Sequence, residues 1–377
     1  MLFCLFRFEF YIFSMSLQKI FILTIAVIIL FGLMMLASSS SFQSQRTFGD
    51  PFHLFLNQII QGVFLGGAGF FLAYVTPLRI LKRFALPLFL LSVLLLVLLL
   101  VPHVGFEYGG ARRWIQVGSL SFQPSEFAKI GLLFYVASWL ASHKRELLHF
   151  SQGFLPILFM GGIIPFLILL EPNVSNFGIT ASLIFILLFA AGARIWHLLG
   201  FSLVILMVGF LSVLLLPSRL QRVETLLNPS LDPQGKSYQL NQSLIALGSG
   251  GVFGKGLGMS SQKYSALPEV SGDAIFAIIG EELGFVGSIV LILFYLAIFA
   301  EGMLISRIAS DPFAQYFTIG FVSLIALQAF INVGAISGLL PLTGVTLPFI
   351  SYGGSSLISL CAGSGLVAQA ARGSNKR

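Results

Sequence analysis

The chain has 377 residues, 57% of them hydrophobic and only 9% charged. A soluble domain carries about 25% charged residues, so water is excluded as the solvent for most of this surface and an all-α polytopic membrane protein is expected. The net charge of +7 does not point to nucleic acid, because the basic residues lie between apolar runs, where they orient a membrane protein.

Residues 1–14 precede a second methionine, Met15, and read as an N-terminal extension; no small-residue cleavage site ends the apolar run that follows. Residues 15–377 read as one membrane domain. Spans are predicted at about 18–37, 56–76, 84–101, 124–142, 154–170, 176–193, 195–216, 274–300, 315–337 and 347–370. With the N-terminus inside, Arg79, Lys82, Arg83, Lys144, Arg145, Arg194, Arg307 and Arg372 fall in cytoplasmic segments. Short external segments hold only Arg46, Arg112 and Arg113, so both termini are expected in the cytoplasm. Between the seventh and eighth spans lies a large external loop, residues 217–273, rich in Gly, Ser, Asn and Pro. Loops of that length are usually functional or disordered. The apolar piece "LNQSLIALGSGGVFG" points to a short amphipathic segment at the membrane interface. Cys4 and Cys361 lie far apart in the chain, so neither a disulfide nor a cysteine metal cluster is expected.

Groups able to do chemistry gather in three places. In "GGARRWIQVGSLSFQPSEFAKI", Arg112, Arg113 and Trp114 suit either an interfacial anchor or a phosphate grip. Pro124 then opens the fourth span, and Glu126 and Lys129 share one of its faces at i, i+3. In "LPEVSGDAIFAIIGEELG", Pro268 stops any earlier helix and Ser271 is placed to cap the next, with Asp273 in its first turn. Asp273 either complements the helix dipole or acts as a base; the helix end lowers its pKa and burial raises it. Glu281 and Glu282 follow about 12–14 Å along the helix, at membrane depth, where carboxylates must face the bundle interior or water. Their roles there are an ion pair that locks packing or a part in catalysis. In "GLLPLTGVTLPFISYGGSS", prolines and glycines interrupt the external end of the last span, which fits a kink or a cavity lining. All three groups are expected at the external face, where they suit an anionic, lipid-linked substrate.

The segments "RRWI…FQPSEFAKI", "LQRVETLLNPSLDPQGKSYQLNQSLIALGSGGVFGKGLG", "LPE…D…FAIIGEELG" and "GLLPLTGVTLPFISYGGSS", in that order, resemble the SEDS family (shape, elongation, division and sporulation), typified by FtsW and RodA. "GEELG" and Thr346 look more like the FtsW division branch. The resemblance implies a peptidoglycan glycosyltransferase of the bacterial cytoplasmic membrane, placed at the division site. It would polymerise lipid II by an inverting mechanism, alongside a class B penicillin-binding protein and other division proteins. Asp273 matches the acid of the family's "LPExHTD" motif. Here Ser271-Gly272 replaces His-Thr, Ala274 replaces a Phe, and Asn173 replaces an acid in "LEPNVSNFGIT", leaving Glu171. The implied roles make Asp273 the base, with Glu269 assisting or holding with it a divalent cation, Mg²⁺ or Mn²⁺; no tightly bound cofactor is expected. Arg112, Arg113 and Lys129, with Glu126 beside it, are candidates to offset pyrophosphate charge. Arg219, Arg222, Lys255 and Lys263 are candidates to draw in the donor, and Ser351 and Tyr352 to line the substrate site. The rival readings are a lipid II flippase, another outer-leaflet transferase or ligase, and a non-catalytic division scaffold.

Overall fold

The apolar runs fold as helices because lipid offers no partner to a backbone N–H or C=O, and a helix satisfies both within the segment. The structure, a computed structural model, describes residues 2–372 except 102–104, 109–110, 118–119, 231, 233–234, 236 and 265–266; for 2–15, 106–108, 111–112, 117, 120 and 217–218 it describes the backbone alone. The chain opens with α1 (Leu2–Phe48), α2 (His53–Val75) and α3 (Ala85–Leu100). A small sheet follows, β1 (Phe106–Tyr108), β2 (Ala111–Val117) and β3 (Leu120–Phe122). Next come α4 (Pro124–His143), α5 (Phe150–Leu170), α6 (Val174–Ala191) and α7 (Ile195–Leu215). The long loop carries α8 (Pro217–Leu227) and α9 (Tyr238–Ser249), before α10 (Ile275–Ile308), α11 (Pro312–Ile336) and α12 (Gly354–Arg372).

Among the described residues, 8 helices are long and apolar enough to cross a membrane. Of the other predicted spans, α3 is shorter and α4 carries Glu126 and Lys129. Each of these helices overlaps a predicted span, but several boundaries differ, α1 also running on to Phe48. Helix α1 starts at Leu2, inside the expected extension, and α10 runs on to Ile308. Helix α12 starts only at Gly354, because residues 339–353 take an irregular path through Pro341, Gly344 (φ 66°) and Pro348.

Helix α11 is the hub, packed against α4, α6, α10 and α12. Phe317 meets Phe134 edge-on at 4.9 Å and stacks on Phe321 at 5.8 Å. Helix α12 lies close along α2: a Cβ added at Gly365 would sit 2.2 Å from the Phe70 carbonyl oxygen, so only glycine permits that approach. Helix α7 packs on α6 but buries only Leu198 and Ser212, and it runs straight into α8.

The sheet corrects the expectation of a plain loop between the third and fourth spans. Its strands are antiparallel, with Tyr108 opposite Ala111 and Val117 opposite Leu120. The signal is present in "YGGA" and "VGSL", glycine-bearing pairs between alternating apolar residues, which mark tight hairpins. The sheet, the α5–α6 turn, the long loop and residues 339–353 are hydrogen-bonded to one another, so the expected chemical groups meet at one end of the bundle.

Candidate active site

Asp273 sits in the turn just before α10, not in the first turn of the helix. Helix α10 is preceded by Ala274 with no side-chain cap, and Ser271 Oγ donates to Gln43 Oε1 instead, 3.0 Å away. The turn is held from several sides. Asn332 Nδ2, on α11, donates to the Asp273 carbonyl and to the Val345 carbonyl, both at 2.8 Å. Ser351 Oγ donates to the Gly272 carbonyl at 2.7 Å, and the Tyr352 N–H donates to the Ser271 carbonyl at 2.8 Å. Ser351 and Tyr352, expected to line the substrate site, thus grip the backbone beside Asp273.

The Asp273 carboxylate faces an open cavity of about 510 Å³, solvent at its mouth included, walled by Arg222, Thr225 and Leu226 of α8, Gln239 and Leu240 of α9, and Pro341, Leu342 and Gly344. Gln239 Nε2 lies 3.4 Å from Asp273 Oδ1. Arg222 is braced by donating to the Leu342 carbonyl at 2.7 Å. Burial, then the like charge of Glu269, push the Asp273 pKa up to about 7; Arg222, a backbone hydrogen bond and Gln239 oppose the rise. Burial therefore outweighs every stabilising contact, and the carboxylate is poised for proton transfer near neutral pH.

Glu269 is exposed and takes a left-handed backbone (φ 52°), so the chain doubles back and the Gly272 and Ala274 N–H groups both donate to its carbonyl, at 2.9 and 3.3 Å. Its Oε2 lies 3.2 Å from where a Cβ on Gly272 would stand. The glycine that departs from the family motif thus leaves room for this carboxylate. Among the described residues no group of three metal-ligating side chains occurs.

Arginines extend the site toward the α5–α6 turn. Arg113 Nη2 donates to the Pro172 carbonyl at 2.8 Å, and Arg219 Nη2 donates to the same oxygen. Arg219 Nε is buried without a partner. Burial, with repulsion from Arg222 and Arg113, lowers the Arg219 pKa to about 10; Arg113 and Arg222 are lowered too, chiefly by burial. Guanidiniums crowded onto a shared carbonyl, with spare donors, are built to receive an anion. Glu171 does not neutralise them through hydrogen bonds: both its carboxylate oxygens are buried and unpartnered, and burial raises its pKa to about 8 against the pull of Arg113. Asn173, the other departure, accepts from the Asn176 N–H at 3.3 Å and caps α6. Arg112 lies on β2 with its backbone opposite Glu107; its side chain is outside the described residues.

The other candidates are engaged elsewhere. Lys129 and Glu126 are both buried and pair at 2.7 Å. Lys255 pairs with Glu281 at 2.6 Å and Lys263 with Glu282 at 3.0 Å. Glu281 also accepts from Ser261 and the Gln262 N–H, and Glu282 from Ser38. None of these lysines lines the Asp273 cavity, so the expectation that Lys255 and Lys263 draw in a donor gives way to a locking role for both. Gln239, Thr225 and Asn332 were not singled out by the sequence. The one signal for Asn332 is an amide within an apolar span, where polar side chains are costly.

These features define a polytopic helical membrane protein with a carboxylate and guanidinium site at one end of its bundle. The model of the FtsW/RodA/SpoVE family, described as cell cycle proteins, matches residues 18–376, and the chain belongs to that family. The probable peptidoglycan glycosyltransferase FtsW of Coxiella burnetii is 41% identical over 341 residues, covering 89% of this chain and 91% of the relative. Stage V sporulation protein E of Bacillus subtilis is 37% identical over 345 residues, covering 90% and 93%. A chain in a solved peptidoglycan synthase complex superposes with a TM-score of 0.76 at 30% identity, covering 95% of this chain and 98% of its own. The rod shape determining protein RodA of Thermus thermophilus gives a TM-score of 0.68 at 30% identity, covering 93% and 95%.

Proposed function

We propose that this protein is a peptidoglycan glycosyltransferase that polymerises lipid II at the outer face of the cytoplasmic membrane during cell division. The observation that carries the reading is Asp273, a carboxylate held near pKa 7 in a cavity walled by Arg222, whose charge also acts on Arg219. Relatives named as peptidoglycan glycosyltransferases support the reaction class.

The donor carries its sugar on an α-linked pyrophosphate and the product bond is β, so one in-line displacement inverts the anomeric carbon. Asp273 takes the proton of the acceptor hydroxyl as its oxygen bonds to that carbon. The bond from the carbon to the pyrophosphate oxygen breaks, and lipid pyrophosphate leaves with the electron pair. Arg222 stands where it can face both the base and the departing charge, and Arg219 and Arg113 receive the pyrophosphate. Gln239 orients the carboxylate. Glu269 and Asp273 are a like-charge pair that would hold a divalent cation. When bound it would neutralise pyrophosphate charge.

The partner in this reading is a class B penicillin-binding protein with other division proteins, and both termini are cytoplasmic. A flippase needs polar groups free along a membrane path. Here Glu126, Glu281 and Glu282 are each tied to a lysine, which counts against that reading.

The test is lipid II polymerisation by purified protein with its cognate penicillin-binding protein, the transpeptidase inactivated. Wild type should make glycan strands and Asp273→Ala none, with unchanged thermal unfolding. Strands from the variant would overturn the assignment.

A further inference from the structure

The part of the long loop after α9 turns back along α10 instead of standing above it. The Lys255 and Gly256 N–H groups donate to the Glu281 and Glu282 carbonyls, both at 3.0 Å, and the Phe285 and Val286 N–H groups donate to the Gly251 and Val252 carbonyls, at 2.9 and 3.1 Å. This pairing supplies partners to the backbone that the kink at Gly284 (φ 70°, ψ −165°) frees from the helix. The approach needs glycine on both sides. A Cβ on Gly254 would stand 2.2 Å from the Glu282 carbonyl oxygen, and one on Gly284 would stand 2.3 Å from the Gly254 nitrogen. Glu281 and Glu282 draw the segment's lysines and serines inward. Most of what is left outside is apolar: Val252 is 58% exposed, Phe253 82%, Leu257 52% and Met259 67%, with Lys255 reaching back from the surface to Glu281.

Depth decides what surrounds these side chains. Beyond the kink α10 runs uninterrupted from Phe285 to Ile308, roughly 36 Å at 1.5 Å per residue, only about 6 Å more than the hydrocarbon core. The helix that must cross the core thus begins at Phe285, directly after the kink. Phe285 and Val286 therefore lie at the edge of the core or within it, and with Ile289 and Leu293 they form an outward apolar stripe. The apolar side of the loop is hydrogen-bonded directly onto that stripe. A surface continuous with a lipid-facing helix, at the same depth and with its one lysine neutralised by the buried Glu281, fits acyl chains.

We propose that residues 250–259 form a re-entrant wedge seated among the acyl chains of the leaflet nearest Asp273, with Phe253, Leu257 and Met259 immersed. The same chain runs on to the turn bearing Asp273, so the bilayer itself helps set the height of that turn. The inference rests on the membrane fold and not on the glycosyltransferase reading.

The test uses the full chain with Cys4→Ala and Cys361→Ala. A single cysteine is introduced as Phe253→Cys, Leu257→Cys or Met259→Cys, spin-labelled, and reconstituted in phosphatidylcholine–phosphatidylglycerol vesicles. Collision with oxygen and with a polar nickel chelate is measured, Phe285→Cys serving as the lipid reference and Glu224→Cys, on exposed α8, as the water reference. The expected oxygen-to-nickel ratio matches Phe285 and exceeds Glu224 about tenfold or more, because hydrocarbon excludes the polar reagent. A ratio equal to that at Glu224 would put the loop in water. Protection from both reagents would mean that protein, such as a second copy, covers it. Either result overturns the proposal, and thermal unfolding matched to the parent shows that each labelled chain is folded.

Discussion

Two neighbours of Asp273 should shift the pH dependence of polymerisation in opposite directions. The carboxylate moves from an ordinary 3.8 to about 7, which corresponds to about 4 kcal/mol against its charged form. A base must be unprotonated, so activity rises with pH through this pKa, and the acid limb of kcat/KM should have its midpoint near 7. With no divalent cation bound, Glu269→Gln removes a like charge, makes ionisation easier and moves the midpoint down. Arg222→Gln removes an opposite charge and moves it up. A nearby charge typically moves a carboxylate by about 1–3 pH units. Glu269 is exposed and Arg222 only partly buried, so the expected movement is at the low end, about one pH unit each way. The assay is initial-rate lipid II polymerisation from pH 5 to 9, with glycan strands resolved on gels. Movement of both midpoints in the same direction, or of neither, would refute the electrostatic account even if both variants were slow.

Arg113→Ala and Arg219→Ala should each raise KM for the pyrophosphate-linked donor about tenfold or more, the worth of a charge-assisted hydrogen bond; unchanged KM in steady-state kinetics would remove them from the site. Lys129→Met leaves Glu126 buried and unpaired and should cost about 3–5 kcal/mol, seen as a lower unfolding temperature in detergent. Adding Glu126→Gln should recover most of that loss. Gly284→Ala forces a side chain into a backbone conformation reserved for glycine and against Gly254, and should destabilise by about 2 kcal/mol or more. Limited proteolysis should then cut the chain between α9 and α10 first.

The spans were legible because length and apolarity alone select a membrane helix, and Asp273 was legible from its place after Pro268 and before an apolar run. Its chemistry was not. The pKa is set by Arg222, Gln239 and burial, from elements that meet Asp273 only after folding. Lys255 and Lys263 looked available because their glutamates lie 26 and 19 residues further along the chain. Ser271 had the right type and spacing for a helix cap, but Gln43 from α1 competes for its hydroxyl. The sheet was missed because each strand is short and the apolar spans on either side dominate any reading of that region.

The amide of Asn332 spans the site from beneath, with one hand on Asp273 and the other on Val345. Both belong to segments that frame the cavity, and both are referenced to α11, which packs against α4, α6, α10 and α12. The turn bearing Asp273 and the segment bearing Val345 are therefore held at one spacing. The wall bearing Arg222 and Thr225 hangs instead on α8, which continues from the sparsely packed α7. The two walls thus hang on different supports, α11 for one and α8, tied across to Leu342, for the other. In the proposed reaction the height of the base follows α11, and the reach of Arg222 follows α8.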